Sequence, residues 1–291
     1  DAVTSGSIIA MGALLGMIAP PVNTAALIIC AGIDVPYVGF EGPLALITFP
    51  LAILFVLLLG YKQARHMDYE KLKPALEKQD AIRKQYGVRI YIPLLVLVAL
   101  MVIFKVLKLG EDIGMPLMFL ISAAVGLFTG KKINVLTAVP EAIRTAAPVM
   151  GILMGVGMFI EVMTATGVRG LVVISCLRLP STLWLLACAI SIPLFGAVSS
   201  YGACSVLGVP FAYIYASLLG GNSVVVLAAI SLIAAVGDMM PPTALAGLFA
   251  AQVTGVEKYT EILKRCIVPI IILLVYACFF LANSKLIAGL F

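Results

Sequence analysis

Apolar stretches of bilayer-spanning length recur along the whole chain, and short polar segments separate them. One stretch, 181–219, is too long for a single straight span and contains a polar break at 196–202. The predicted uninterrupted spans are 43–61, 90–107, 115–129 and 267–282, and the interrupted spans are 3–33 and 223–254. The pattern predicts an all-α polytopic membrane protein.

The remaining segments are more polar or shorter. Residues 62–89 carry many Lys and Arg residues with apolar residues at helical spacing, which indicates a cytoplasmic amphipathic connector lying on the membrane. An interfacial helix is predicted over 135–147. Two apolar arms, 148–163 and 170–177, flank Thr164–Arg169, and neither reaches the length of a full span. This arrangement favours a re-entrant hairpin, which a membrane protein tolerates only under cover of protein or water.

The two interrupted spans share one sequence pattern. Gly16 pairs with Gly237 and Pro20-Pro21 pairs with Pro241-Pro242, all at one constant separation along the chain. A double proline removes two backbone donors and clashes with the preceding turn, so both spans are predicted to break there. Two such breaks in corresponding halves indicate the binding site of a secondary transporter. A pair of purely structural proline kinks is the alternative.

Charge predicts how the two copies are oriented. The positive-inside rule places 62–89 in the cytoplasm, and counting spans from there leaves most of the 19 Lys and Arg residues on that side. The first broken span then runs outward and its copy runs inward, as in inverted-repeat transporters. Because residue 1 corresponds to residue 222, and a long apolar region precedes the second copy, we expect the first repeat to be incomplete at its N-terminus.

These boundaries predict four regions. The first region is a partial first repeat, with a broken helix and a span, and the last is the second inverted repeat, with the interfacial helix, hairpin, broken helices and last span. Between them lie the connector and two linking spans. The regions cover 1–61, 62–89, 90–134 and 135–291.

Composition excludes several classes of protein. The chain is 63% hydrophobic and 11% charged, with a mean hydropathy of +1.16, which excludes a soluble domain. The net charge of +5 does not indicate nucleic-acid binding, because the basic residues lie in loops. The six cysteines form no C-x-x-C pair and the one histidine, His66, lies in a charged loop, so no disulfide framework or metal centre is predicted. No enzyme activity and no cofactor are expected, with Na⁺ as a coupling ion only.

The chemistry is expected at the helix breaks. The bare carbonyls that end a half-helix suit a cation, and the bare N–H groups that begin the next half suit a carboxylate. The candidate cation-binding residues are Gly16, Ala19, Gly237, Asp238, Met240 and Thr243. The candidate substrate-binding residues are Asn23, Arg169, Ser199, Ser200 and Thr243.

Each of these candidates has a structural alternative. Asp238 could be a carboxylate that caps a helix or lies at the membrane interface, and Arg169 could lie in the wet interface at the hairpin tip. The small polar stretch that includes Ser199 and Ser200 could serve close helix packing.

The segments Leu15–Pro21 and Met239–Ala244 resemble the paired G-x-x-x-P-P motifs of the large membrane subunit of TRAP transporters, in the ion transporter superfamily. Gly32–Tyr37 is similar to that family as well, whereas Val22-Asn23 departs from the small residue that usually follows the first proline pair. The resemblance implies an elevator-type, Na⁺-coupled carrier of small organic acids in the prokaryotic inner membrane. It also implies two partners, a small membrane subunit and a periplasmic solute-binding protein.

Three other functions remain open at this point. Within the same superfamily, the chain could be a cation/proton antiporter or a stand-alone dicarboxylate carrier. It could also be the membrane subunit of a decarboxylase-driven Na⁺ pump, which would need a soluble biotin-linked partner.

Overall fold

A computed structural model describes residues 2–20, 22–37, 40–61, 65, 69–107, 115–129, 134–199, 207–242 and 244–290. Every regular element in these ranges is a helix, which confirms the predicted all-α membrane fold. Three described helices are long and apolar enough to cross a membrane: Gly42–Gly60, Leu76–Phe104 and Tyr259–Ala282. The chain forms two compact units, Asp1–Gln63 with Ile152–Phe291, and Ala64–Gly151.

The helices follow one another with short connections. In chain order they are α1 (Ala2–Ile18), α2 (Thr24–Gly32), α3 (Glu41–Phe55), α4 (Tyr69–Tyr86), α5 (Ile92–Leu107), α6 (Met115–Thr129), α7 (Val135–Ala165), α8 (Val168–Leu177), α9 (Trp184–Ser199), α10 (Val209–Tyr213), α11 (Ser223–Ala235), α12 (Leu245–Thr254), α13 (Tyr259–Ala282) and α14 (Ser284–Ile287). A π-helical turn extends α3 over Val56–Gly60, a second extends α10 over Ile214–Leu218, and a 3₁₀ turn extends α11 over Val236–Met239.

Both predicted interruptions are present in the structure. Helix α1 ends at Ile18 and α2 begins at Thr24, while the 3₁₀ turn after α11 ends at Met239 and α12 begins at Leu245. The helix ends at the two breaks are therefore equivalent: Ile18 corresponds to Met239, and Thr24 corresponds to Leu245, at the same separation along the chain. Local sequence accounts for this, because neither half-helix can continue through a proline pair.

The halves pack in an exchanged pattern. Helix α1 packs against α12, and α2 packs against α11. Two inverted copies would place the first half of one broken helix at the same membrane depth as the second half of the other, so this pairing is the one that inversion predicts. Helix α13 adds two links to the first copy, from Cys266 Sγ to the Ser7 carbonyl at 3.8 Å and from Tyr276 OH to the Leu46 carbonyl at 3.1 Å.

Helix α11 lies at the centre of the first unit. Its residues are buried from Val225 onward, through the 3₁₀ turn to Met239. Helices α1, α2, α3, α9, α10 and α13 all contact it. The central element is thus the one that leads into the second break.

In the other compact unit, α5 and α6 pack together. Ser122 Oγ on α6 donates a hydrogen bond of 2.6 Å to the Pro93 carbonyl on α5. In a regular helix a carbonyl accepts a hydrogen bond from the amide four residues further along the chain. The serine hydroxyl gives the Pro93 carbonyl a second partner in an apolar setting.

One predicted boundary is wrong. The structure joins the predicted interfacial helix, 135–147, and the first hairpin arm, 148–163, in the single 31-residue helix α7. A helix that continues satisfies the backbone groups that an interruption would expose, which is favourable next to lipid. The turn of the hairpin is where the sequence places it, since α7 ends at Ala165 and Gly167 adopts a φ of 76° before α8.

Candidate functional site

The first break is closed by a single buried asparagine. Asn23 is the N-cap of α2, and its Oδ1 accepts a hydrogen bond from the Ala26 amide at 2.9 Å. Its Nδ2 donates to the Ile18 carbonyl at 3.3 Å, so one side chain satisfies a group at each of the two facing helix ends. The sequence predicts Asn23 as a substrate ligand, and the structure shows that its amide already bridges the break.

Asn23 also joins the first break to α11, the helix that leads into the second break. Its Nδ2 donates to Ser231 Oγ at 2.7 Å, and Ser231 lies in α11, the helix that leads into the second break. Ser231 Oγ in turn donates to the Ala228 carbonyl at 2.8 Å, and both side chains are fully buried. A buried hydrogen bond of this kind fixes the first break against the helix before the second.

A tyrosine holds the backbone of the first break. The backbone N–H of Asn23 donates to Tyr37 OH at 2.7 Å, and the Tyr37 ring stacks on the Phe40 ring with the centroids 5.2 Å apart. Tyr37 and Phe40 follow α2 in the chain, so the segment after the second half-helix folds back onto the break. Sequence reasoning missed Tyr37 and Ser231, although a lone hydroxyl inside the apolar helix α11 was a usable signal.

Gly16 and Ala19, two predicted cation ligands, lie beside an apolar cleft. The cleft has a volume of about 240 Å³ and is formed by α1 with α3 and its π-helical turn. Among the described residues that line it, the one side-chain hydroxyl is that of Thr48, which donates to the Leu44 carbonyl at 2.7 Å. The described lining is therefore mostly apolar, whereas a cation prefers oxygen ligands.

The turn that leads into the second break is buried, and the break itself offers carbonyl groups. The Gly237 carbonyl accepts from the Met240 amide at 3.0 Å, and the Met240 carbonyl accepts from the Ala244 amide at 2.9 Å. Each carbonyl oxygen has two lone pairs, so in the described part of the chain each of these two oxygens can still accept from a second partner. Asp238 is 8% exposed and interacts with another group of the protein. The carboxylate of Asp238 thus lies in sequence between the two carbonyl groups that the sequence predicts as cation ligands.

In the described part of the chain, the N-terminal end of α12 has no side-chain cap of the kind that Asn23 gives α2. The N-cap residue Ala244 is fully buried, has a φ of 34° and has no side-chain oxygen that could accept from the first amides of α12. These amides form the positive end of the helix dipole. The Pro241-Pro242 bond before it is cis, and both prolines are exposed.

The sequence model of a protein family, the DctM component of the tripartite ATP-independent periplasmic (TRAP) transporters, matches residues 1–284. The chain belongs to the DctM family. No curated protein and no solved structure gave a match in the corresponding comparisons. Membership makes this chain an integral membrane component of a TRAP-type secondary transporter for organic acids, and not an enzyme. DctM components work with a small membrane subunit and a periplasmic binding protein.

In this DctM chain, a glycine contact brings a third predicted region to the second break. A Cβ at Gly237 would lie 2.7 Å from the Cα of Gly196 on α9, so the two backbones meet there without side chains between them. The end of α9 at Ser199 lies one helical turn beyond this contact. The structure thus brings the start of the predicted small polar stretch to the second break.

The remaining predicted residues are partly outside the described structure. Pro21, Ser200 and Thr243 lie outside the described residues, and Pro20 is half-buried in the turn after α1. Ser199 is the last residue of α9 and Arg169 is the second residue of α8, but their side chains are outside the described part. Among the described residues no group of three metal-ligating side chains occurs.

Proposed function

We propose that this DctM chain moves a small carboxylate across the prokaryotic cytoplasmic membrane in an elevator-type cycle coupled to Na⁺. The observation that carries the proposal is the pair of helix breaks at equivalent positions, with the Asn23–Ser231 hydrogen bond linking the first break to the helix that leads into the second. Both breaks belong to one compact unit, which supports a mechanism in which they move together. The small membrane subunit and the periplasmic solute-binding protein are its proposed partners.

The cation is proposed to bind at the second break. Na⁺ favours oxygen ligands, and the Gly237 and Met240 carbonyls supply two with a lone pair available on each. Asp238 adds a negative charge in an almost completely buried position, where a charge is costly unless it is paired. Asp238 already interacts with another group of the protein, and a bound Na⁺ would add a further favourable interaction with its carboxylate, which would couple the state of this break to the ion. Thr243, Gly16 and Ala19 stay predicted ligands.

The carboxylate is proposed to bind at the N-terminal end of α12. Anions are favoured where uncapped amides and the positive end of a helix dipole coincide, and Ala244 leaves this end without a side-chain cap. The corresponding end of α2 already has Asn23 as its cap. The two breaks would therefore have different roles: the second would bind the carboxylate, and the first would stabilise the second. Ser199, Ser200, Thr243 and Arg169 stay predicted substrate ligands.

Uptake by the assembled transporter in proteoliposomes tests the coupling. Labelled organic acids, dicarboxylates among them, are offered with an inward Na⁺ gradient, with a proton gradient, and with none. We expect uptake to follow the Na⁺ gradient, and Asp238→Asn to raise the Na⁺ concentration for half-maximal uptake by about tenfold or more, because bonds to charged groups contribute about 1.5–3 kcal/mol.

The matched control is Asp80→Asn, the same change at an exposed position in α4. It should leave the Na⁺ dependence unchanged. Carboxylate uptake that follows the proton gradient alone would instead show proton symport and would refute coupling to Na⁺. An unaltered Na⁺ dependence in Asp238→Asn would remove this carboxylate from the cation site.

A further inference from the structure

The cap residues of the two second half-helices, Asn23 and Ala244, occupy equivalent positions in the repeat but differ in backbone conformation. The carbonyl of each accepts a hydrogen bond from the amide four residues further along, at 3.0 Å in the first copy and 2.9 Å in the second. Asn23 is extended, with φ −111° and ψ 105°, whereas Ala244 is left-handed, with φ 34° and ψ 48°. The half-helices therefore begin alike, and the difference lies in how the chain enters them.

The amides of these two residues have different acceptors. The Ala244 N–H donates to the Met240 carbonyl at 2.9 Å, which closes a turn within the second break. The Asn23 N–H donates to Tyr37 OH at 2.7 Å. In the described part of the chain the Ala19 carbonyl, which is the equivalent of the Met240 carbonyl, accepts no hydrogen bond from Asn23. The tyrosine hydroxyl thus replaces the acceptor that the second copy uses.

Burial makes an acceptor for the Asn23 amide necessary. Asn23 is 0% exposed and Tyr37 is 6% exposed, so bulk water does not reach this amide. A buried amide without an acceptor is strongly disfavoured. Asparagine enters the left-handed region more readily than most residues do. Without the tyrosine hydroxyl, the turn that the second break shows, with the Ala19 carbonyl as acceptor, is therefore open to Asn23.

The segment that carries Tyr37 is where the two copies stop matching. The turns after α2 and α12 are equivalent, since Asp34 and Gly255 occupy the same position and both have a positive φ. Beyond these turns the first copy has two residues more than the second before the proline of the next helix. At the position of Tyr37 the second copy has Lys258, the N-cap of α13. The longer segment folds back onto the first break, and this contact has no counterpart at the second.

We infer that Tyr37 is a positioning residue, whose hydroxyl selects the extended conformation of Asn23 and so forms the link from the first break to α11. In that conformation, which is typical of an N-cap, the Asn23 side chain caps α2 and donates to Ser231 Oγ at 2.7 Å. The left-handed conformation would turn the side chain away, because side-chain direction depends on φ and ψ. In one respect the inference rests on the proposed function: α11 leads into the break proposed to bind Na⁺, so Tyr37 affects the Na⁺ affinity through Asn23 and Ser231.

A double-mutant cycle on the stability of the full chain tests the inference without Na⁺ or solute. Tyr37→Phe removes the acceptor and keeps the stacked ring, and Ser231→Ala removes the other end of the link. Each change alone should raise the equilibrium constant for unfolding in mixed micelles about two- to tenfold. The double variant should show no more than the larger single effect, because Tyr37→Phe already breaks the Asn23–Ser231 bond. Two effects that multiply would overturn the inference.

Tyr276→Phe is the matched control. It removes a tyrosine hydrogen bond of 3.1 Å, to the Leu46 carbonyl, in the same compact unit but outside both breaks. Its effect on unfolding should multiply with that of Ser231→Ala.

Uptake by the assembled transporter in proteoliposomes gives a second readout. Tyr37→Phe should raise the Na⁺ concentration for half-maximal uptake about twofold or more, and Tyr276→Phe should leave it unchanged. Equal shifts in the two variants would overturn the positioning role, because a general loss of stability would then explain both. Uptake that does not depend on Na⁺ in any variant would refute the proposed coupling, and the unfolding cycle would still decide the role of Tyr37.

Discussion

Replacing Asn23 with alanine should destabilise the protein more than replacing an asparagine cap elsewhere in it. Loss of an N-cap costs about 1 kcal/mol. Asn23 is also fully buried and donates two further hydrogen bonds, to Ile18 and Ser231. Hydrogen bonds between helices in a membrane contribute about 0.6 kcal/mol on average. The expected loss in the free energy of unfolding for Asn23→Ala is therefore about 2 kcal/mol.

Asn222 provides the matched control. It caps α11 through one hydrogen bond, from the Val225 amide to Oδ1 at 3.1 Å, and it is half-buried. Asn222→Ala should therefore cost only about 1 kcal/mol. Reversible unfolding in mixed micelles with increasing SDS measures both variants. Equal losses would refute the reasoning that the Nδ2 hydrogen bonds of Asn23 stabilise the first break.

Three further predictions follow from single positions. Gly237→Ala should lower the free energy of unfolding by about 1–3 kcal/mol, because its methyl group would overlap the facing glycine of α9; micelle unfolding measures this, and an unchanged stability would contradict it. Ala244→Gly should raise the stability by about 1 kcal/mol, since a φ of 34° strains alanine, and a loss measured by the same assay would argue against strain there. If the repeats are inverted, the exposed loops after α2 and α12 lie on opposite sides of the membrane. In a cysteine-free background, an impermeant maleimide should therefore label Asp34→Cys in intact cells and Glu257→Cys only after lysis. Labelling of both variants in intact cells would exclude inversion.

The sequence predicted the helix breaks well because their cause is local. A proline pair disrupts a helix wherever it occurs in the chain, so the ends of α1 at Ile18 and of the 3₁₀ turn at Met239 follow from Pro20 and Pro241. The hairpin turn at Gly167 was predictable for a similar reason, because a short polar segment separates two apolar arms. Length and polarity of each stretch were enough for these elements.

The contacts that hold the site together could not be predicted in this way. Asn23 and Ser231 are 208 residues apart, and no local pattern specifies that they meet. The continuity of α7 was also not predictable, because Pro148 lies within its bounds without ending it. A single proline costs one hydrogen bond, and packing decides whether the helix continues, whereas a proline pair leaves no such choice.

The asparagine that closes the first break has a consequence for any molecule that approaches it. Among the described residues its amide leaves one Oδ1 lone pair unoccupied, and all other polar capacity of the side chain is already used. Beyond that one acceptor position, a solute bound there would have to replace an existing hydrogen bond of Asn23 for each new one. Binding at the first break would therefore exchange hydrogen bonds with little net gain. If the carboxylate binds at the second break as proposed, discrimination among solutes would take place there, where no described side chain caps the first amides of α12.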